Sequence, residues 1–197
     1  MSTSQFEGAV LETIRSYWRI KAALAVYHKY AKSPEMKSNR VYYTEIPQHG
    51  IVINFIAEET LEQALNQITD YSSRRLAKDV FLALISHLEE LFSNFLVSRG
   101  QPPQGTFGQL QTSVQRLHHI PNHIIGELNE IRERRNCIIH HAGAVQPRYT
   151  DAALQVFSRS GGWVADPSTV TNLDVSSGYL SYAGDVIIRY ARCLPGH

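Results

Sequence analysis

The fold is decided by one long apolar stretch, LAKDVFLALISHLEELFSNFLVS, which covers residues 76–98. Apolar residues recur in it every three or four positions, the spacing of one helix face, namely at Leu76, Val80, Leu84, Leu88, Leu91 and Phe95. A second set widens this stripe and consists of Phe81, Ile85, Phe92 and Leu96. A helix that is apolar around most of its circumference lies among other helices. We therefore predict a helical domain built around this stretch.

The segments on either side also carry mostly helical patterns. A helix is predicted over residues 5–32, with Ser4 as its N-cap and Glu7 completing a capping box. The helical pattern of the central stretch starts at residue 59, with a break predicted near Asp70–Ser73. Further helices are predicted over residues 122–142, ended by Gly143, over 150–158 and over 176–193.

Residues 41–56 differ, because tyrosines and β-branched residues dominate them and Pro47–Gly50 supplies a turn. Two short strands in a β-hairpin are predicted there. The predicted fold class is mainly α, a helical bundle of four to five helices with a small β-hairpin insertion near residues 41–56. We expect a single domain over residues 1–197, in which residues 1–58 form an N-terminal helix and hairpin extension and residues 59–194 form the helical core.

The composition indicates a globular, intracellular protein. Of 197 residues, 43% are hydrophobic, and the formal net charge of +1 does not by itself indicate a nucleic-acid partner. The two cysteines imply no disulfide framework, which fits a reducing cytoplasm. The N-terminal region has no apolar run that predicts a signal peptide or a membrane span. We expect a cytoplasmic location and no membrane partner.

Arg135 interrupts an apolar stripe of the helix predicted over residues 122–142. At about 100° per residue, one face of that helix consists of Ile124, Leu128, Ile131, Arg135, Ile138 and Ala142. An unpaired guanidinium in a core costs on the order of several kcal/mol. Arg135 is therefore expected to reach an edge, to pair with a carboxylate such as Glu89 or Glu90, or to face a cleft that binds an anion.

Asn136 and His140 lie four residues apart on a neighbouring face, with Arg132 one turn before them. Because the helix ends just after His140, the long side chain of Arg135 can converge with the imidazole there. An arginine offers a forked donor to phosphate oxygens, and a histidine can transfer protons near neutrality. This set suits a phosphodiester. Cleavage of RNA through its 2′-hydroxyl requires both a base and an acid, and two copies of the helix across a two-fold axis would supply two histidines.

The pattern R-N-x-x-x-H, here Arg135, Asn136 and His140, is followed by H-A-G-A-V at residues 141–145. Together with S-H-L-E-E at residues 86–90 on the long apolar helix, it resembles the HEPN superfamily (higher eukaryotes and prokaryotes nucleotide-binding) over about residues 60–194. The resemblance implies a metal-independent endoribonuclease that uses no cofactor and acts as a homodimer with a composite cleft. It also implies RNA as the substrate, a role in bacterial defence or a toxin system, and an inhibitory or regulatory protein partner.

The predicted site has two groups of residues. Arg135, Asn136 and His140 are the candidate catalytic residues, with Arg135 holding the phosphate and His140 acting as base or acid. The candidate supporting or substrate-binding residues are Glu89, Arg132, His141, Arg148 and Tyr149. Arg148 is expected to add a phosphate contact, and Tyr149 is near enough in sequence to reach the cleft.

Other interpretations of the same residues stay open. The chain could be a non-catalytic HEPN-like dimerisation, interaction or nucleotide-binding module in which Arg135 only holds helices together. The two histidines could then simply favour the C-terminal end of the helix dipole. The run Arg132, Arg134 and Arg135, interleaved with Glu127, Glu130 and Glu133, is typical of a solvated helix face. No metal site is predicted at His118, His119 and His123, because Pro121 interrupts them and no cysteine or carboxylate cluster completes a shell.

Overall fold

Helices make up most of this computed structural model, which describes residues 2–31, 36, 38–44 and 56–195. In chain order they are α1 Thr3–Ala31, α2 Leu61–Arg74, α3 Leu76–Ser98, α4 Phe107–Leu117, α5 Asn122–His140, α6 Pro147–Leu154 and α7 Ser177–Arg192, with a 3₁₀ turn at Phe157–Arg159. The fold is mainly α, as predicted. The described residues contain seven helices and not four to five.

The break in that long pattern lies at Arg75 and not at Asp70–Ser73. Ser72 and Ser73 remain helical because their hydroxyls donate to the carbonyls of Thr69 and Asp70, which keeps these polar residues satisfied within the helix. The start of α2 is a capping box, in which Thr60 Oγ1 accepts from the backbone N–H of Gln63 and the Gln63 side chain accepts from the backbone N–H of Thr60.

The N-terminal cap of α1 also lies two residues earlier than predicted. Ser2 Oγ accepts from the backbone N–H of Gln5, and Gln5 Oε1 accepts from the backbone N–H of Ser2. Ser2 and Gln5 have the same capping-box spacing as the predicted pair Ser4 and Glu7. Glu7 is bonded elsewhere: it accepts two hydrogen bonds from Arg192 on α7, at 2.7 and 2.8 Å.

Two short strands lie between α1 and α2. The strands, β1 Arg40–Thr44 and β2 Ile56–Thr60, pair antiparallel, with Arg40 opposite Thr60 and Thr44 opposite Ile56. The turn predicted at Pro47–Gly50 lies outside the described residues. The hairpin as a whole therefore stays a prediction. The described part of its second strand begins at Ile56, which is the last residue of the predicted segment.

Two compact units are distinguished by their internal contacts. One comprises Met1–Ser16 with Ala77–His197, and the other comprises Tyr17–Leu76. These boundaries differ from the division at residue 58 used in the sequence analysis. The smaller unit buries Leu61 and Leu65 of α2. The larger unit contains every residue discussed below as a candidate site.

The core of the larger unit forms around α3. Its apolar stripe is almost fully buried, with Leu84, Leu88, Leu91 and Phe92 inaccessible to solvent. Phe92 stacks on Phe107 of α4 with ring centroids 5.7 Å apart. By length and composition alone α3 could cross a membrane, but the burial of these side chains within the chain is that of a core helix.

Helix α5 packs against α6 and α7 and ends at His140. Its end is a tight turn, because the backbone N–H groups of His141 and Gly143 both donate to the carbonyl of Cys137. Ala142 and Gly143 have positive φ angles of 51° and 90°, so the chain reverses as predicted near Gly143. Helix α6 follows at once, with Pro147 in its first turn, three residues before the predicted start at residue 150. This reversal sets the start of α6 beside the end of α5.

Candidate functional site

A cleft of about 700 Å³ lies along the C-terminal half of α5. The start of α4 and the start of α6 complete its walls. The side chains that line it include six with guanidinium, carboxamide or imidazole groups, namely Arg132, Arg135, Asn136, His140, His141 and Arg148. All of them were candidates in the sequence analysis, and the fold brings them to one place. Among the lining residues three arginines face one glutamate, Glu133, so the lining carries a charge of +2 (three minus one) when its histidines are neutral.

Arg135 lies at the edge of this cleft. Its side chain is 25% exposed, so it is only partly taken into the apolar stripe on which the sequence places it. Its Nη1 donates to Asn136 Oδ1 at 3.3 Å. Its Nη2 is 3.9 Å from Glu89 Oε1, a long ion pair in which Glu89 is itself 35% exposed. The predicted carboxylate partner is present, and the pairing is loose enough to leave donors of Arg135 for a ligand.

The buried arginine of α5 is Arg134, which the sequence analysis had placed on a solvated face. That interpretation is wrong for four residues, since Glu127, Glu130, Glu133 and Arg134 are all buried. Helices α6 and α7 cover the face of α5 that carries these residues. Charges whose spacing is typical of an exposed face are therefore buried and need partners within the chain.

Each nitrogen of the Arg134 guanidinium donates to an acceptor within the chain. Its Nε donates to Glu130 Oε1 at 2.9 Å, its Nη1 to the carbonyl of Asp174 at 3.0 Å, and its Nη2 to the hydroxyl of Tyr149 at 2.8 Å. The guanidinium also lies 3.9 Å from the ring centroid of Tyr179, whose hydroxyl donates to Glu130 Oε2 at 2.7 Å. Burial raises the pKa of the Tyr149 and Tyr179 hydroxyls, so both stay protonated beside this ion pair. The cluster ties α5 to α6 and α7.

Tyr149 therefore does not line the cleft. It is 1% exposed, and its hydroxyl is used by Arg134. The structure places this candidate in the support beneath the cleft and not in contact with a ligand.

A chain of hydrogen bonds runs along the cleft wall. The Nε of Arg132 donates to Glu133 Oε1 at 2.9 Å, and its Nη1 donates to Gln111 Oε1 on α4 at 3.0 Å. Glu133 Oε2 in turn accepts from Asn136 Nδ2 at 3.3 Å, and Asn136 Oδ1 accepts from Arg135. Asn136 thus has both ends of its carboxamide engaged, and it orients Arg135 relative to Arg132.

Glu133 and Gln111 are the site residues that the sequence analysis missed. Glu133 is three residues before Asn136, on the same side of the helix, and this spacing could have indicated the contact. Gln111 is 1% exposed and belongs to another helix. Only the packing of α4 on α5 brings it to Arg132, so no local pattern could have indicated it.

His140 and His141 are the last residue and the C-cap of α5, and both are exposed. Neither imidazole has a hydrogen bond to another described residue. Arg148, in the first turn of α6, is likewise exposed and makes no ion pair with the described residues. The cleft thus has a hydrogen-bonded wall, from Arg132 to Arg135, and an exposed rim formed by His140, His141 and Arg148.

The described residues include no group of three or more histidine, cysteine, aspartate or glutamate side chains that could hold a metal ion. No protein-family model matches the chain, and no curated protein or solved structure matches it at a significant level.

Proposed function

We propose that this chain is a metal-independent endoribonuclease of the HEPN kind that acts as a homodimer in bacterial defence or a toxin system. One observation carries the proposal: the three motif residues Arg135, Asn136 and His140 line a single cleft whose net charge is positive. Phosphodiesters are anions, and forked arginine donors match their oxygens. The cleft is open to solvent at its histidine rim, where a bulky RNA strand can enter.

The reaction would proceed by transesterification. One His140 removes the proton of a ribose 2′-hydroxyl as the 2′-oxygen attacks the adjacent phosphorus. The bond from phosphorus to the 5′-oxygen breaks, and that oxygen takes a proton from an acid. The products are a 2′,3′-cyclic phosphate and a 5′-hydroxyl end. Arg135 stabilises the added negative charge on the phosphoryl oxygens, and Asn136 keeps Arg135 in place.

The second copy of the chain supplies the acid in this scheme. Each copy contributes one His140, and a two-fold axis close to the end of α5 would bring two of them to one phosphodiester. His141 and Arg148 then contact the flanking phosphates. Because unregulated cleavage of RNA harms a cell, an inhibitory or regulatory protein partner belongs to the same proposal.

A non-catalytic function is the alternative, and one observation favours it. Arg132 and Arg135 already donate to Glu133, Gln111 and Asn136 within the chain, which is what a purely structural network would do. In that case the cleft would bind a nucleotide or a partner protein without cleaving it.

The decisive experiment compares RNA cleavage by the wild type and by Arg135→Ala and His140→Ala, each in excess EDTA. We expect each substitution to lower the cleavage rate by at least about a hundredfold, since proton transfer and charge stabilisation each contribute roughly that much. Product ends are identified as 2′,3′-cyclic phosphate because they resist phosphatase until acid opens the ring; phosphatase then removes the phosphate and leaves a hydroxyl end that can be ligated.

Two matched variants serve as controls. His123→Ala removes an exposed histidine from the first turn of α5, and Arg116→Ala removes an exposed arginine from the last turn of α4. Neither residue lines the cleft, and both variants should retain wild-type cleavage. Wild-type protein that leaves RNA intact with and without its genomic neighbours as partners would favour the non-catalytic alternative.

A further inference from the structure

A second cavity adjoins the cleft. It measures about 310 Å³ and shares Arg132, Glu133 and Arg148 with the cleft. Four further residues line it: Asn129 on α5, Asp151 and Ala152 on α6, and Gln155 at the end of α6. The shared residues form the wall between the two cavities. A chain-like ligand bound in the cleft can therefore continue past Arg148 into the second cavity.

The polar side chains that line only this second cavity have groups available to a ligand. The Oδ1 of Asn129 accepts from Gln111 at 2.9 Å, which leaves its amide nitrogen without a described partner. Asp151 and Gln155 are exposed, and their side chains make no hydrogen bond or ion pair with the described residues. Ala152 is buried and supplies an apolar surface. The cavity thus offers a free carboxylate, free carboxamide donors and a small apolar surface.

We propose that the second cavity is a nucleobase subsite and that it prefers guanine. The inference rests on the proposed binding of RNA in the adjoining cleft. Unpaired RNA bases are recognised through hydrogen bonds to their Watson–Crick edges. On guanine that edge presents two adjacent N–H donors, at N1 and N2, beside the O6 acceptor. A carboxylate accepts from both donors and a carboxamide donates to the acceptor, which matches Asp151 with Asn129 or Gln155.

The other bases match this arrangement less well. Adenine and cytosine each present one amino group beside a ring-nitrogen acceptor, and uracil presents one N–H between two carbonyl acceptors. The Asp151 carboxylate would therefore face at least one acceptor and be repelled. Arg148, in the wall between the cavities, would bind the phosphate that joins the base in the subsite to the nucleotide in the cleft. Asp151 is thus assigned a role in choosing the RNA sequence and not in the cleavage step.

The test measures binding and not cleavage. His140→Ala is used as the parent, so that RNA stays intact, and its affinity for labelled single-stranded octamers is measured by fluorescence anisotropy. The octamers contain uridine alone, or uridine alternating with guanosine, adenosine or cytidine. We expect the guanosine octamer to bind tightest. Adding Asp151→Asn should weaken its binding by about tenfold, the discrimination of one good bidentate contact.

The direction in which Asp151→Asn changes RNA affinity distinguishes a specific contact with guanine from a general electrostatic effect. Asp151→Asn removes a negative charge next to a basic cleft, so without a specific contact it would tighten binding to every octamer alike. Asp185→Asn is the matched control, because it removes the same charge from an exposed residue of α7 that lines neither cavity. It should leave the order of the four octamers unchanged.

Equal affinities for all octamers, or uniformly tighter binding by Asp151→Asn, would overturn the subsite. This outcome is independent of the cleavage experiment. A protein that never cuts RNA but prefers guanosine through Asp151 would support the subsite and contradict the proposed nuclease activity. A protein that cuts RNA through Arg135 and His140 without base preference does the reverse.

Discussion

Arg134 and Arg135 are neighbours in the sequence and lie in opposite environments. Arg134 has 7% of its side chain exposed and pairs with Glu130, of which no side-chain surface is exposed. Arg135 is 25% exposed and has only a long contact with Glu89. A buried guanidinium is tolerated when its nitrogens find hydrogen-bond acceptors, and each of the three nitrogens of Arg134 has one. The looser Arg135 is the one that can exchange its contacts for a ligand.

The two arginines should therefore differ sharply in their contribution to stability. Arg134→Met should lower the free energy of unfolding by about 3–5 kcal/mol, because it leaves the Glu130 carboxylate buried without its cation. Arg135→Met should cost less than about 1 kcal/mol, as for a partly exposed and weakly paired charge. Urea denaturation followed by circular dichroism measures both.

A double variant checks the cause. Arg134→Met combined with Glu130→Gln removes both charges, and its loss should be smaller than the sum of the single losses. If Arg134→Met were no more harmful than Arg135→Met, the buried pair would not be holding α5 to its neighbours.

At the scale of elements, the end of α5 determines where the cleft is. The Leu173 N–H donates to the Gly143 carbonyl at 2.8 Å, and Ala144 pairs with Asn172 in an isolated bridge. The turn that follows His140 is thus clamped to the segment before α7. Because α6 starts only four residues after Gly143, this clamp also sets the position of Arg148 on the far wall.

Gly143→Ala should loosen that clamp. With φ at +90°, a Cβ on residue 143 would lie 2.5 Å from Asn172 Oδ1 and 2.8 Å from the Leu173 carbonyl oxygen, so backbone must move. We expect the free energy of unfolding to fall by roughly 2–4 kcal/mol, because the strain of a left-handed backbone adds to the steric clash.

Gly100→Ala is the matched control for this prediction. Gly100 also has a positive φ, of 69°, but a Cβ added to it would meet no atom within 4 Å. The Gly100→Ala substitution should lower the free energy of unfolding by roughly 1–2 kcal/mol, from backbone strain alone. Equal losses in the two variants, measured by thermal denaturation, would mean that the contact with Asn172 and Leu173 does not constrain the end of α5.

At the scale of the whole molecule, the proposed chemistry needs more than one chain. A single copy places one His140 and one Arg135 at its cleft, and the proposed scheme takes its acid from the His140 of a second copy. The scheme of base and acid thus requires a second copy across a two-fold axis. Its consequences can be measured without knowing the geometry of the dimer.

Copies carrying His140→Ala should have a dominant-negative effect on cleavage by the wild type. When wild-type protein exchanges subunits with about a fivefold excess of His140→Ala, random pairing leaves roughly a sixth of the wild-type copies in intact dimers, and cleavage should fall accordingly. RNA is kept in excess over total protein, so that sequestration of substrate cannot explain the fall. Undiminished cleavage, or a chain that sediments as a monomer while active, would rule out the composite cleft.

Much of this molecule follows from local pattern alone. The width of the apolar stripe in residues 76–98 identified the central helix, because burial requires apolar side chains all around a helix. The glycine stop at residue 143 and the motif Arg135, Asn136 and His140 located the end of α5 and its polar residues. What local pattern could not decide was where the helical pattern over residues 59–98 breaks, since the serines near residue 72 satisfy their own hydroxyls within α2.

By itself, the sequence determined that the chain is mainly helical and that a cation, a carboxamide and an imidazole stand together at one helix end, because spacing along a helix is a local property. Only the tertiary structure decided which of two adjacent arginines is buried and that Tyr149 supports the cleft from beneath. It also decided that Gln111 of α4 bonds Arg132 and that Arg148 of α6 lines the cleft. The physical reason is that burial and pairing depend on what packs against a helix, and residues distant in sequence supply those partners.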